Sequence, residues 1–175
     1  AARQRLAMLG MPASLIELRR VRITNRSRKR RTLEVTSYAE VVLAPPAADA
    51  LHPAFSNLFV QTEIIREGQA ILCTRRPRSH DEHSPWMCHL MTVHGAGIGT
   101  MSYETDRLQF IGRGCTAANP QAMRGSGARQ GTYGATELSG SEGSVLDPIV
   151  AIRCRITLDP DESATIDMVS GIGET

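Results

Sequence analysis

Apolar and polar residues alternate with a period of two in several stretches of this chain, and that alternation predicts strands. Between Leu33 and Leu43 the odd positions hold Leu33, Val35, Ser37, Ala39, Val41 and Leu43, while Glu34, Thr36, Tyr38 and Glu40 occupy even ones. Successive side chains of a strand point to opposite faces, so one face is predicted buried and the other wet, as in an antiparallel sheet. Val150, Ile152, Cys154, Ile156 and Leu158 repeat the pattern, with Arg153, Arg155 and Thr157 predicted to face outward. Further strands are predicted over Ile16–Thr24, Leu58–Arg66, Ala70–Arg75, Met87–His94, Thr100–Gln109 and Ala164–Val169.

The residues between these runs carry turn chemistry. Asn25-Arg26-Ser27 reads as a hairpin connection between the first two strands. Glu67-Gly68 reads as another, with the glycine supplying the positive φ of a tight hairpin. Asp159-Pro160-Asp161 breaks the last two strands apart. Ala47–Ser56 is predicted to form a short helical turn interrupted at Pro53, which lacks the backbone N–H that a helix needs. Cys115–Ser144 is rich in Gly, Ser, Ala and Thr and has no sustained apolar period, so it reads as an excursion of about thirty residues. Excursions that long are usually functional or mobile. The predicted fold class is therefore all-β: an antiparallel two-sheet sandwich with one long Gly-rich loop.

Length and composition narrow the function more than the fold. With 175 residues, the chain is long enough for one domain with a real core. A net charge of +2 does not by itself argue for nucleic acid. Arg19, Arg20, Arg22, Arg26, Arg28, Lys29, Arg30 and Arg31 form a basic run, but no aromatic residue interleaves them for base stacking. Solvated edge-strand charge, which blocks edge-to-edge pairing, accounts for the run, and no nucleic-acid partner is expected. No apolar stretch approaches the roughly 18 residues of a membrane span. Ala1–Leu15 lacks the pattern of a signal peptide. Cys73, Cys88, Cys115 and Cys154 are widely spaced and form no C-x-x-C pair, so they read as free thiols suited to a reducing, cytoplasmic compartment.

Candidate chemistry is sparse. His80-Asp81-Glu82-His83 brings two imidazoles and two carboxylates together, yet Pro77 and Pro85 imply a loop and no third ligand stands at diagnostic spacing. No metal and no cofactor are expected. The nucleophile elbow, the H-E-x-x-H helix, the phosphate-binding loop and the dinucleotide fingerprint are all missing from the sequence. Tyr103-Glu104-Thr105-Asp106-Arg107, running through Phe110 to Arg113, suits sugar contact. Planar rings can stack on pyranose faces, and carboxylate–arginine pairs bind with fixed geometry. An ion-paired strand end with a core phenylalanine explains the same residues equally well.

Several segments go beyond composition. RRTLEVTSYAEVVL (30–43), HPAFSNLFVQTE (52–63), TRRPRS (74–79), YETDRLQFIGRG (103–114) and GSVLDPIVAIRCRITL (143–158) stand in family order. From about Val21 onward the chain resembles the sandwich module of glycoside hydrolase family 94, formerly glycosyltransferase family 36, and within it the phosphorylase-like region of cyclic β-1,2-glucan synthases. Cellobiose and chitobiose phosphorylases are more distant relatives. The resemblance implies a galactose-mutarotase-like supersandwich that serves an (α/α)₆ barrel absent from this chain. It implies no turnover by the chain alone, and a parent that is a glycosyltransferase or inverting phosphorylase at the cytoplasmic side of the bacterial inner membrane. A β-glucan or gluco-oligosaccharide is the implied ligand. Arg113 is the leading candidate for a hydroxyl contact, alongside Phe110, while Glu104, Asp106 and Arg107 would hold the loop in place. Cys115 departs from the polar or basic residue expected there. Ala1–Leu15 (1–15) does not look like the family, so the sandwich proper is taken as 16–175 and as incomplete. An incomplete sandwich leaves an open edge, which is expected to favour a homodimer, an element swap or recruitment of Ala1–Leu15 as a cover. The alternative function is a structural or dimerisation module with no direct sugar contact.

Overall fold

The computed structural model describes residues 15–77, 79, 84–124 and 137–174. Eight strands follow in chain order: β1 (Leu15–Thr24), β2 (Arg31–Glu40), β3 (Val60–Ile65), β4 (Ala70–Arg75), β5 (Pro85–His94), β6 (Gly97–Asp106), β7 (Pro148–Leu158) and β8 (Ser163–Glu174). Two short helices, α1 (Pro46–Leu51) and α2 (Pro53–Asn57), lie between β2 and β3, and α3 (Arg107–Ile111) follows β6. The predicted interruption at Pro53 is the start of α2: proline suits a first helical position, where no N–H is required. The strands form a five-stranded sheet in the order β1-β8-β5-β4-β3 and a three-stranded sheet in the order β2-β7-β6. Every pairing is antiparallel. The two-sheet, all-β architecture read from alternation is the observed one.

The core lies between the sheets. Ile64, Ile71, Cys73, Met91, Val93 and Ile166 of the larger sheet meet Tyr103, Val150, Ile152, Cys154 and Ile156 of the smaller one. The four cysteines are unpaired, and the adjacent pairs Leu72↔Cys88 and Cys73↔Met87 place Cys73 and Cys88 on opposite faces of one sheet. Burial pushes the Cys73 thiol up to about 12 and that of Cys88 to about 11, so both act as small hydrophobes.

Three sequence expectations change. Asn25-Arg26-Ser27 does not close a hairpin, because β1 pairs with β8 and β2 with β7 in the other sheet. The segment crosses the sandwich, and Asn25 holds the crossing. Its Nδ2 donates to the carbonyls of Lys29 (2.9 Å), Leu158 (3.0 Å) and Asp159 (3.1 Å), and its Oδ1 accepts from the Ser27 amide (3.0 Å). One buried amide side chain therefore ties the β1–β2 arch to the β7–β8 arch. Between β3 and β4 the hairpin forms as expected, but the positive φ falls on Gln69 (52°) and not on Gly68. The strand predicted over Thr100–Gln109 ends at Asp106. Its carboxylate accepts from the Leu108 amide (2.8 Å) and caps α3, so Arg107–Gln109 are helical.

Candidate functional site

The outer face of the three-stranded sheet was expected to be wet. Instead α3 and parts of the chain between β6 and β7 cover one end of it. Phe110, Ile111 and Leu138 pack there on Ile149 and Ala151, with Tyr38 and Ala122 at the margin. Tyr38 and Phe110 stack with ring centroids 5.0 Å apart. Arg153, which alternation alone assigns to solvent, is only 5% exposed as a result. Its Nε donates to Thr36 Oγ1 (3.0 Å) and its Nη2 to the carbonyl of Ala122 (2.6 Å). Burial lowers its pKa from the ordinary arginine value, although a guanidinium stays charged at any working pH.

Beside this cover lies a cleft of about 340 Å³ lined by side chains of mixed polarity. Glu104 and Arg153 form its inner wall, Phe110 and Leu138 supply apolar surface, and Gln109, Gln121, Arg124 and Glu137 bring amide, guanidinium and carboxylate groups to it. Glu104 is 1% exposed and is held in place from three directions. One carboxylate oxygen accepts from the amides of Thr105 (2.9 Å) and Asp106 (2.9 Å), and the other accepts from the Ser139 hydroxyl. Those bonds tie the end of β6 to residues that return from the long excursion.

Gly112 sets how closely α3 approaches the 3₁₀ turn at Gln121–Met123. Its φ is +81°, and a Cβ there would come within 2.3 Å of Gln121 Oε1 and 2.6 Å of Gln121 Cβ. Gly112→Ala is therefore expected to cost about 2 kcal/mol, from backbone strain plus the forced opening of this contact. Chemical denaturation checks this, and an unchanged midpoint would show that the turn yields freely.

Of the five sequence-predicted residues, two line this cleft and three do not. Glu104 and Phe110 line it. Asp106 caps α3 at its entrance. Arg107 pairs with Glu40 (3.1 Å) and Asp147 (3.6 Å), which fastens α3 to β2 and to the approach to β7. Arg113 follows Gly112, is exposed, and has no side-chain partner among the described residues. Tyr103 and Phe110 are each 3% exposed; Tyr103 sits in the core beneath the Arg66 guanidinium (5.7 Å), and Phe110 lies against Tyr38. Both planar rings are thus committed to the domain's own packing. Gln109, Gln121 and Arg153 join the site without any signal in the sequence, because the approach of the 3₁₀ turn to α3 is a tertiary event. His80, Asp81, Glu82 and His83 lie outside the described residues.

Residues 4–175 match the family model for the supersandwich domain of glycosyl hydrolase family 94. The chain belongs to this family. The match begins at residue 4 and so takes in most of segment 1–15, which motif order alone sets apart from the family. Over 137 residues the domain is 42% identical to cyclic β-(1,2)-glucan synthase NdvB of Rhizobium meliloti (strain 1021). That alignment takes in 78% of this chain and 4% of NdvB, so the chain spans a small part of the relative's length. Among the described residues of this supersandwich domain, no helix is long and apolar enough to cross a membrane.

Proposed function

We propose that this supersandwich domain serves a β-1,2-glucan-acting enzyme by forming one wall of its sugar site, with catalysis carried by an (α/α)₆ barrel elsewhere in the parent. The observation that carries this reading is the cleft. A neutral, hydroxyl-rich ligand is recognised by amide, guanidinium and carboxylate groups set around modest apolar surface. Gln109, Gln121, Arg124 and Glu137 supply that mixture beside the fixed Glu104–Arg153 wall. Arg113, exposed just beyond α3, is the hydroxyl contact in this reading. Asp106 and Arg107 position α3 and do not touch sugar. The likeness to NdvB points to β-1,2-linked glucose as the substrate class. The chain by itself has no turnover in this reading, and the parent is a glycosyltransferase or inverting phosphorylase.

A titration of the ¹⁵N-labelled chain with β-1,2-gluco-oligosaccharides tests the proposal. Shift changes are expected at Tyr103–Arg113 and around Gln121, and Arg113→Ala and Gln121→Ala are expected to weaken them several-fold. A folded chain with no shift changes would favour the other reading, a module that braces the barrel and mediates subunit contacts. The packed state of Tyr103 and Phe110 is the observation on that side. Release of glucose 1-phosphate by the chain alone would overturn both.

A further inference from the structure

The outer face of the larger sheet carries a second group of side chains that the cleft does not use. Cross-strand pairing sets Gln61, Thr74 and Trp86 side by side in one row and Glu63 beside Leu72 in the next. The alternate positions Ile64, Cys73 and Met87 of the same strands face the core, so these rows point away from it. A trough of about 230 Å³ opens among Gln61, Glu63, Leu72 and Thr74. Gly143 closes it at the sheet edge, where its backbone exchanges hydrogen bonds with Thr62 (2.8 and 2.9 Å). The trough shares no residue with the cleft. Gln61, Glu63 and Thr74 are exposed, and neither Glu63 nor Thr74 has a side-chain partner among the described residues. Trp86, the single tryptophan of the chain, is partly buried. Its indole N–H is inaccessible and unpaired among the described residues, so the ring has carbon to offer a ligand and not its N–H.

We propose that this trough is a second saccharide site, which holds a neutral glucan chain away from the cleft. Glucan as the ligand rests on the function proposed for the cleft, and the trough adds a place where the chain is held. The side chains select the ligand class. Glu63 is an unpaired carboxylate, which repels phosphate and other anions and accepts from hydroxyl groups. Gln61 brings both donors and an acceptor, and among the described residues its Nε2 is engaged only by a long contact to Ser144 Oγ (3.5 Å). Thr74 adds a hydroxyl and Leu72 apolar surface. Trp86, directly across from Thr74, provides ring carbon for the C–H face of a pyranose. The cleft lacks such a ring, because Tyr103 and Phe110 are packed into the domain.

Because Trp86 is the chain's one tryptophan, its fluorescence reports on this face. Titrating the whole chain with a β-1,2-linked glucose disaccharide is expected to change the emission saturably. Glu63→Ala should raise the dissociation constant about tenfold, by removing charge-assisted hydrogen bonds, and Gln61→Ala should raise it several-fold. Gln121→Ala, in the cleft, should leave it within about twofold. Inorganic phosphate should give no response. Gln61 and Glu63 are exposed, so unchanged melting temperatures would confirm that their variants fold. A constant emission alongside amide shift changes at Gln121 would overturn this site and leave the cleft reading standing, whereas no response at either place would overturn both. An emission change that Gln121→Ala abolishes and Glu63→Ala leaves intact would also overturn the trough, since Trp86 would then be reporting the cleft. A response to phosphate of equal size would overturn the neutral ligand.

Discussion

Replacing Glu104 with alanine is expected to destabilise the domain by about 3 kcal/mol. The carboxylate is almost fully buried and accepts from the Thr105 and Asp106 amides and from Ser139. Alanine strands two backbone donors at the end of β6 and frees the returning chain at Ser139. A buried donor left unpaired loses its full solvation, which costs more than the net worth of the bond that satisfied it. Glu104→Gln keeps an acceptor for the two amides and presents an NH₂ to the Ser139 oxygen, so its cost should be less than half as large. Urea unfolding of both variants checks the comparison. A shift below about 0.5 kcal/mol for alanine would mean that water replaces the carboxylate, and the cleft wall would then not depend on it.

The second large effect is expected on acidification. His89, on β5, joins the two sheets: Nδ1 lies 2.9 Å from Ser170 Oγ, on β8, and Nε2 lies 2.9 Å from Ser37 Oγ, on β2. Ser37 Oγ also accepts from the Ile152 amide (3.2 Å) and lies within donating reach of the Ile152 carbonyl (3.4 Å). Each serine hydroxyl can donate or accept, so a neutral ring in either tautomer satisfies both bonds, whereas a protonated ring has no lone pair left to accept. Burial, and secondly the charge of Arg19, hold the pKa of His89 down to about 4 from the ordinary 6.5. The unfolded chain therefore binds a proton that the folded one refuses. The stabilisation is complete above pH 6.5 and is lost as the pH falls from 6.5 through about 4, for a total of about 3 kcal/mol. Over that window, His89→Asn should reduce the pH dependence of unfolding free energy by one proton, about 1.4 kcal/mol per pH unit. An identical slope in the variant would remove His89 from the account.

Legibility differs from element to element, for physical reasons. β2 and β7 announce themselves by alternation, because Val35, Ser37, Ala39 and Val150, Ile152, Cys154 must share a face whatever the partner strands are. α3 is hidden inside a run that reads as strand, since its capping aspartate is indistinguishable in sequence from an exposed strand acid. Arg153 is misassigned for a related reason. Period two says which face a side chain is on, but nothing about whether that face is later covered. Asn25 shows the limit of turn chemistry. The same residues that would close a hairpin instead cross between sheets, because β8 and β7 compete successfully for β1 and β2.

The candidate site divides along the same line. Glu104, Asp106, Arg107, Phe110 and Arg113 are close in sequence, and their chemistry together with the family likeness marked them out. Their separate places, with Glu104 in the cleft wall, Asp106 capping α3, Arg107 paired to Glu40 and Asp147, Phe110 stacked on Tyr38 and Arg113 exposed, emerge only from their surroundings. By itself, the sequence determined the all-β class, most strand positions, the free cysteines and the supersandwich family, since these follow from local periodicity and motif order. Tertiary structure alone decided the sheet order, the burial of Arg153, the bridge through His89 and the cleft between α3 and the 3₁₀ turn. Each of these depends on residues far apart in the chain meeting in space, and such meetings leave no local pattern to read.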